Sequence, residues 1–226
     1  MFGSSLASQT ASASTVPFST SLGSVTVTFT NGSTTVNAPI SYVSPTQMNA
    51  QVPWELVTPG ASATTTMVVS NNGVGSSPTS VPIGPFGPGI FGFNAPSGGI
   101  FALAYTFTDS MFAWPTGSVP GLTTHPAAPG SVLIVYATGL GAVTPAPPAD
   151  GAAAGSVLTR AATPPIVLIG GMSAEVEFAG LTPTFPGVYQ LNIVVPPNAP
   201  AGSAVPLQVQ VGGLTSPATF TIAIGN

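Results

Sequence analysis

The chain has 226 residues, of which only 3% are charged: five acids, a single arginine (Arg160) and no lysine, with one histidine, no cysteine and a net charge of −4. An ordinary domain carries about 25% charged residues, so the electrostatic footprint of a nucleic-acid or phosphate binder is excluded, as are disulfide staples. Glycines (27) and prolines (26) interrupt every apolar run, and the longest, SVLIVYATGL at 131–140, falls short of the ~20 residues a spanning helix needs, while 44% hydrophobic residues are enough for a core and argue against disorder.

The predicted elements are strands almost throughout. The opening MFGSSLAS lacks the basic start and apolar run of a signal peptide and reads as a mature or truncated start. SVTVTFT (24–30) alternates apolar and polar residues and meets a turn at Asn31-Gly32. TTTMVVS (64–70) meets another at Asn72-Gly73. A Pro/Gly-rich stretch, GPFGPGIFG (84–92), reads as a linker too short to let two domains wander. GGIFALAYTFTDSMFAWP (98–115) predicts an aromatic hairpin in which Phe101, Leu103, Tyr105 and Phe107 alternate along one strand. PIVLIGG (165–171), AEVEFAG (174–180), PLQVQVGG (206–213) and ATFTIAIG (218–225) complete the series, with turns at Gly170-Gly171 and Gly212-Gly213. The Ala-rich 151–154 is the one tempting helix, and flanking glycines and prolines would break it.

A repeat runs through these strands. QMNAQVP (47–53) returns as QLNIVVP (190–196), and from that register 26–32 matches 166–171, 38–53 matches 174–196 with an insertion, and 60–83 matches 202–224. Two copies suit paired domains better than a solenoid. The expected fold is therefore all-β: two tandem immunoglobulin-like sandwiches from an internal duplication, at 1–88 and 89–226, without the cysteine and tryptophan hallmarks. The repeated Gln and Asn are expected to hydrogen-bond backbone at a strand corner. Carried back to the N-terminus, the register sets Phe2 where Tyr136 stands and leaves APGSVLI (128–134) without a counterpart, so the first sandwich is expected to lack its first strand and to expose an edge at Met1, Phe2 and Leu6.

PGSVLIVYATGLGAVTPA (129–146), IGGMSAEVEFAGLTPTFPGVYQLNIVVP (169–196) and the ending VQVGGLTSPATFTIAI resemble the Solibacter-type C-terminal domain family of large secreted acidobacterial proteins. YVSPTQMNAQVPWE and PGIF are similar to the unit that usually precedes it. The resemblance covers nearly the whole chain and implies an extracellular, IPT/TIG-like sandwich with no catalytic residues to carry over. The departure lies at 98–115, where members commonly have a polar Asp-Gly turn.

Residue by residue, no catalytic, cofactor or metal site emerges. His125 is the sole histidine, so a multi-histidine metal site cannot form. Ser131, His125 and Asp150 could be drawn as a triad only without a nucleophile elbow. Glu175 and Glu177 share one strand face and read as solvated rather than as a glycosidase pair. Asp109 and Asp150 lack the carboxylate company a calcium site needs. Asn31-Gly32-Ser33 is a formal glycosylation sequon, and Trp54 with Glu55 reads as a domain-end plug rather than a sugar site.

Two function classes remain. Charge depletion along the whole length favours a secreted structural protein that polymerises with copies of itself, into a filament or surface layer, through sheet edges and apolar faces. The alternative is an extracellular carbohydrate- or protein-binding adhesion module. The aromatics Phe101, Leu103, Tyr105, Phe107, Phe112 and Trp114 are the expected interface, with a flap over their own domain as the plainer reading. A neighbouring subunit is expected to complete the first domain by strand donation, from 100–107 or the C-terminal tail.

Overall fold

The structure is a computed structural model that describes residues 1–56 and 61–225. It is all-β, with 46% of residues in strands, arranged as sheets around apolar cores. The sole helical element among the described residues is the 3-10 turn Trp54–Leu56. The chain divides into two compact units. The first comprises Met1–Pro85, Pro145–Thr159 and Leu181–Gly187; the second comprises Phe86–Thr144, Arg160–Gly180 and Val188–Asn226. The passage from one to the other lies in the Pro/Gly-rich stretch, at Pro85/Phe86 where the sequence suggested 88/89. Residues 145–159 and 181–187, which the sequence reading put in the second sandwich, belong to the first unit.

The first unit packs two sheets face to face. In Val25–Asn31 the residues Val25, Val27 and Phe29 are buried and the threonines between them lie outward, as period-two alternation requires. This strand pairs antiparallel with Thr34–Asn37 on one side and Ala63–Asn71 on the other, and the latter pairs with Val74–Gly75 and Thr79–Ile83. The second sheet holds Ala11–Ser12, Ile40–Val43 and Met48–Ala50 in that order. Ile40, Val43 and Met48 from it meet Val25, Val27 and Phe29 from the first sheet in one core cluster. Burying each such side chain contributes about 1.5–3 kcal/mol.

In the second unit Ile166–Ile169 pairs with Met172–Leu181 and Gly202–Val211, and Gly202–Val211 pairs with Leu214–Thr215 and Phe220–Ile224. Strand for strand, this is the pairing pattern of the first unit. The correspondence extends to single residues: Phe2 bridges Gln47 in the first unit as Tyr136 pairs Gln190 in the second. Such agreement is what the sequence repeat leads one to expect, and duplication as its origin is an inference from that repeat.

Turn chemistry explains the registers. Asn72-Gly73 and Gly212-Gly213 are both two-residue loops with positive φ at both positions (52° and 80°, 58° and 80°), the type I′ geometry that matches strand twist. At the first hairpin the structure differs from expectation by one residue. Asn31 stays in its strand opposite Thr34, and the loop is Gly32-Ser33 with the glycine, at φ 58°, in first place.

Candidate assembly surfaces

The repeated heptapeptide is an internal brace. Gln and Asn stand two apart on one face of a strand, and the Gln47 Nε2 donates to Asn49 Oδ1 at 3.0 Å just as Gln190 Nε2 donates to Asn192 Oδ1 at 2.8 Å. The expected partners were backbone groups. The amides instead satisfy each other, because i and i+2 side chains meet more easily than either can reach a carbonyl already used in the ladder. Gln51, from the first copy only, does reach backbone: its Oε1 accepts the Gly151 amide at 2.8 Å.

The aromatic segment is mostly interior to the second unit. The expected single strand is two short ones, Ile100–Ala102 and Ala104–Thr106, which part at Leu103 and pair with different neighbours: the first with Gly92–Asn94 and, in parallel, Phe220–Ile224, the second with Val132–Thr138. Trp114 is 1% exposed. Its ring stacks on Phe112 at 4.2 Å, with Phe101 and Phe93 at 5.3 and 5.5 Å, and its Nε1 donates to Ala102 O at 2.7 Å. Phe101 is buried beside it, Leu103 and Phe112 half-buried against the same cluster. Tyr105 lies edge-on to Phe112 and its hydroxyl meets that of Tyr136 at 3.1 Å. Burial, then this contact, pushes its pKa up to about 12. Of the six expected interface residues only Phe107 projects freely. Phe101 and Trp114 reach no partner while this cluster stands, because the bend at Leu103 turns the strand inward. The same bend consumes 100–107 as a donor, and Phe220–Ile224 is likewise paired within its own unit.

Met1, Phe2 and Leu6, the residues expected at an exposed edge, lie at the start of the first unit. Residues 1–6 run along 45–48: Met48 N donates to Met1 O, Gly3 N to Thr46 O and Leu6 N to Pro45 O. The Met1 ammonium donates to Met48 O at 2.7 Å, and burial lowers its pKa. Phe2 is 84% exposed, while Leu6 packs on the core. Beyond Met1 the strand Met48–Ala50 is the last of its sheet. Beside it lies an apolar cavity of about 190 Å³, lined by Met1, Phe29, Ala50, Met67, Val81 and Ile83 among others. In the second unit the corresponding strand, Tyr189–Val194, is covered along its length by Val132–Thr138, which buries Leu133 opposite Ile193 and Val135 opposite Leu191.

The titratable residues form pairs that no local pattern announced. His125 is held at both nitrogens, Nδ1 against Pro126 O at 2.8 Å and Nε2 against Asp109 Oδ2 at 2.9 Å. Asp109 also accepts from Thr106 Oγ1 and the Met111 amide, and these bonds hold its pKa down at about 2. Ser131 gives its hydroxyl proton to Ala128 O, and Asp150 accepts the Trp54 amide. Each residue of the drawn triad thus has other partners. Asp150 sits by Glu55, and burial first, then the shared hydrogen bond, raises its pKa to about 6. Glu175 and Glu177 are exposed on one strand face, Asn31 is exposed at a strand end, and Arg160 lies over the Phe178 ring at 5.1 Å. Among the described residues no three His, Asp or Glu side chains converge on one point, and no helix is long and apolar enough to cross a membrane.

The fold defines an all-β, sandwich-like protein. Comparison of the chain with protein-family models, with curated proteins and with solved structures matches none of them.

Proposed function

We propose that this protein is a secreted structural subunit that polymerises with copies of itself, into a filament or surface layer, through strand addition and apolar contacts. The observation that carries the reading is the near absence of charge with which to keep copies apart, on a chain whose described residues leave several large apolar side chains exposed. Large apolar side chains remain outside both units, Phe2, Val74, Phe107 and Leu158 among them at 63–84% exposure, which supports burial on several sides. Placement outside the cell fits a surface solvated by Ser and Thr hydroxyls, and the exposed Asn31 is the place for a glycan.

The test is sedimentation velocity across a concentration series, with electron microscopy of the native material. Polymers longer than a dimer are expected; a monomer at every concentration overturns the reading. A second reading, an adhesion module, is favoured by the half-exposed ring of Phe93, which stacks on Trp114, with the half-exposed Phe91 two residues before it in the chain. It requires saturable binding of glycan or protein by the monomer.

A further inference from the structure

Of the four tyrosines in the chain, two meet at their hydroxyls. Tyr105 lies on Ala104–Thr106 and Tyr136 on the antiparallel neighbour Val132–Thr138, where the residue directly opposite Tyr105 is Ile134. Tyr136 is therefore the diagonal neighbour of Tyr105 on the same sheet face, and diagonal positions, about 7–8 Å apart, are within reach of aromatic side chains. The two oxygens stand 3.1 Å apart while the ring centroids are 5.9 Å apart, with 53° between the planes. The rings thus converge toward their hydroxyl ends, which is where the ortho carbons lie, one bond from each hydroxyl-bearing carbon. Both side chains are half-buried rather than sealed, so a small oxidant or a radical carrier can reach them. Neither remaining tyrosine has such a partner. Tyr42 is the sole tyrosine of the first unit, and Tyr189 is buried and gives its hydroxyl proton to Gly141 O.

We propose that Tyr105 and Tyr136 form an oxidative modification site, at which one-electron oxidation joins the two rings through their ortho carbons into an intrachain dityrosine. The oxidant is hydrogen peroxide acting through a haem peroxidase. Each phenol gives up one electron and one proton, and the resulting phenoxyl radical carries part of its unpaired spin on the ortho carbons. One ortho carbon of each ring forms the new C–C bond, and each ring then moves its ortho hydrogen to oxygen and regains aromaticity. The net change is two ortho C–H bonds lost and one C–C bond gained, with the two hydrogen atoms reducing one peroxide to two waters. Composition favours this outcome as geometry does. The chain has no cysteine, so no thiol quenches a tyrosyl radical and no disulfide can staple the unit. The link would join positions 31 residues apart, and a cross-link of that kind stabilises by restricting the unfolded chain. The inference concerns the second unit alone and stands whether or not copies polymerise.

The test treats the dilute full chain with a haem peroxidase and limiting hydrogen peroxide, followed by peptic digestion and mass spectrometry. The expected product is a peptide holding Tyr105 joined to one holding Tyr136, lighter than their sum by two hydrogens. It should show dityrosine fluorescence and a raised thermal midpoint, and should run as a monomer on a denaturing gel. Tyr105→Phe and Tyr136→Phe, each folded by circular dichroism, should each abolish the fluorescence, while Tyr42→Phe should leave it unchanged. Oxidation of the wild-type chain unfolded in urea should lower the yield of this link at least about 10-fold, because the fold is what holds the two rings together. Absence of the link, links formed only between chains, a yield unchanged by unfolding, or fluorescence that survives Tyr105→Phe each overturns the proposal.

Discussion

Trp114 shows how one side chain can decide between an interface and a core. Its indole is stacked on three phenylalanines and its N–H is satisfied by Ala102 O, so truncation removes a large buried area and orphans a buried carbonyl. Trp114→Ala should cost about 3–5 kcal/mol in chemical denaturation, whereas Phe107→Ser, at an exposed site, should stay within about 0.5 kcal/mol. Titration at single residues also sets a pH dependence. The folded-state pKa of Asp150 is raised from 3.8 to about 6, so between those values the folded chain holds a proton that the unfolded chain has released. Its contribution is complete below about pH 4 and is lost as pH rises through about 6. Asp109 works in the opposite sense: its pKa is lowered from 3.8 to about 2, and its contribution is lost as pH falls through that window. Thermal melts from pH 2 to 8 should show a maximum in the mildly acidic range. Asp150→Asn should flatten the decline on the alkaline side of that maximum.

Between residue and domain, the hairpins carry the register. A one-residue slip of Val25–Asn31 would turn Val25, Val27 and Phe29 outward, and the two-residue loops prevent it. A Cβ added at Gly213 meets nothing within 4 Å, yet its φ is 80°, so Gly213→Ala should cost about 1 kcal/mol from backbone conformation alone, read as a lowered denaturation midpoint without a change in slope. The Gln–Asn braces act at the same scale. Gln190→Ala removes one bond on a half-buried face, for about 0.5–1.5 kcal/mol.

At the scale of the whole molecule, the shortage of charge bears on the proposed assembly. Contacts made without ion pairs escape salt screening. Self-association should therefore change little between low salt and about 1 M sodium chloride, and should strengthen in sulfate, which favours apolar burial; sedimentation in the three buffers checks this. A steep weakening with sodium chloride would point to charged contacts involving Arg160 and the few acids, and away from strand addition.

The all-β fold, the turns at 72–73, 170–171 and 212–213 and the matching bridges at Phe2 and Tyr136 were legible in the sequence because they depend on local rules: period-two alternation, turn residues tolerant of positive φ, and a repeat that carries register from one copy to the other. What only the tertiary structure decided depends on residues far apart in the chain. The path of 145–159 and 181–187 into the first unit, the pairing of Asp150 with Glu55, and the inward bend at Leu103 that buries Phe101 and Trp114 leave no periodic trace. An alternating aromatic strand looks the same in sequence whether its rings face a partner or their own core, and the choice falls to whichever sheet surface lies within reach.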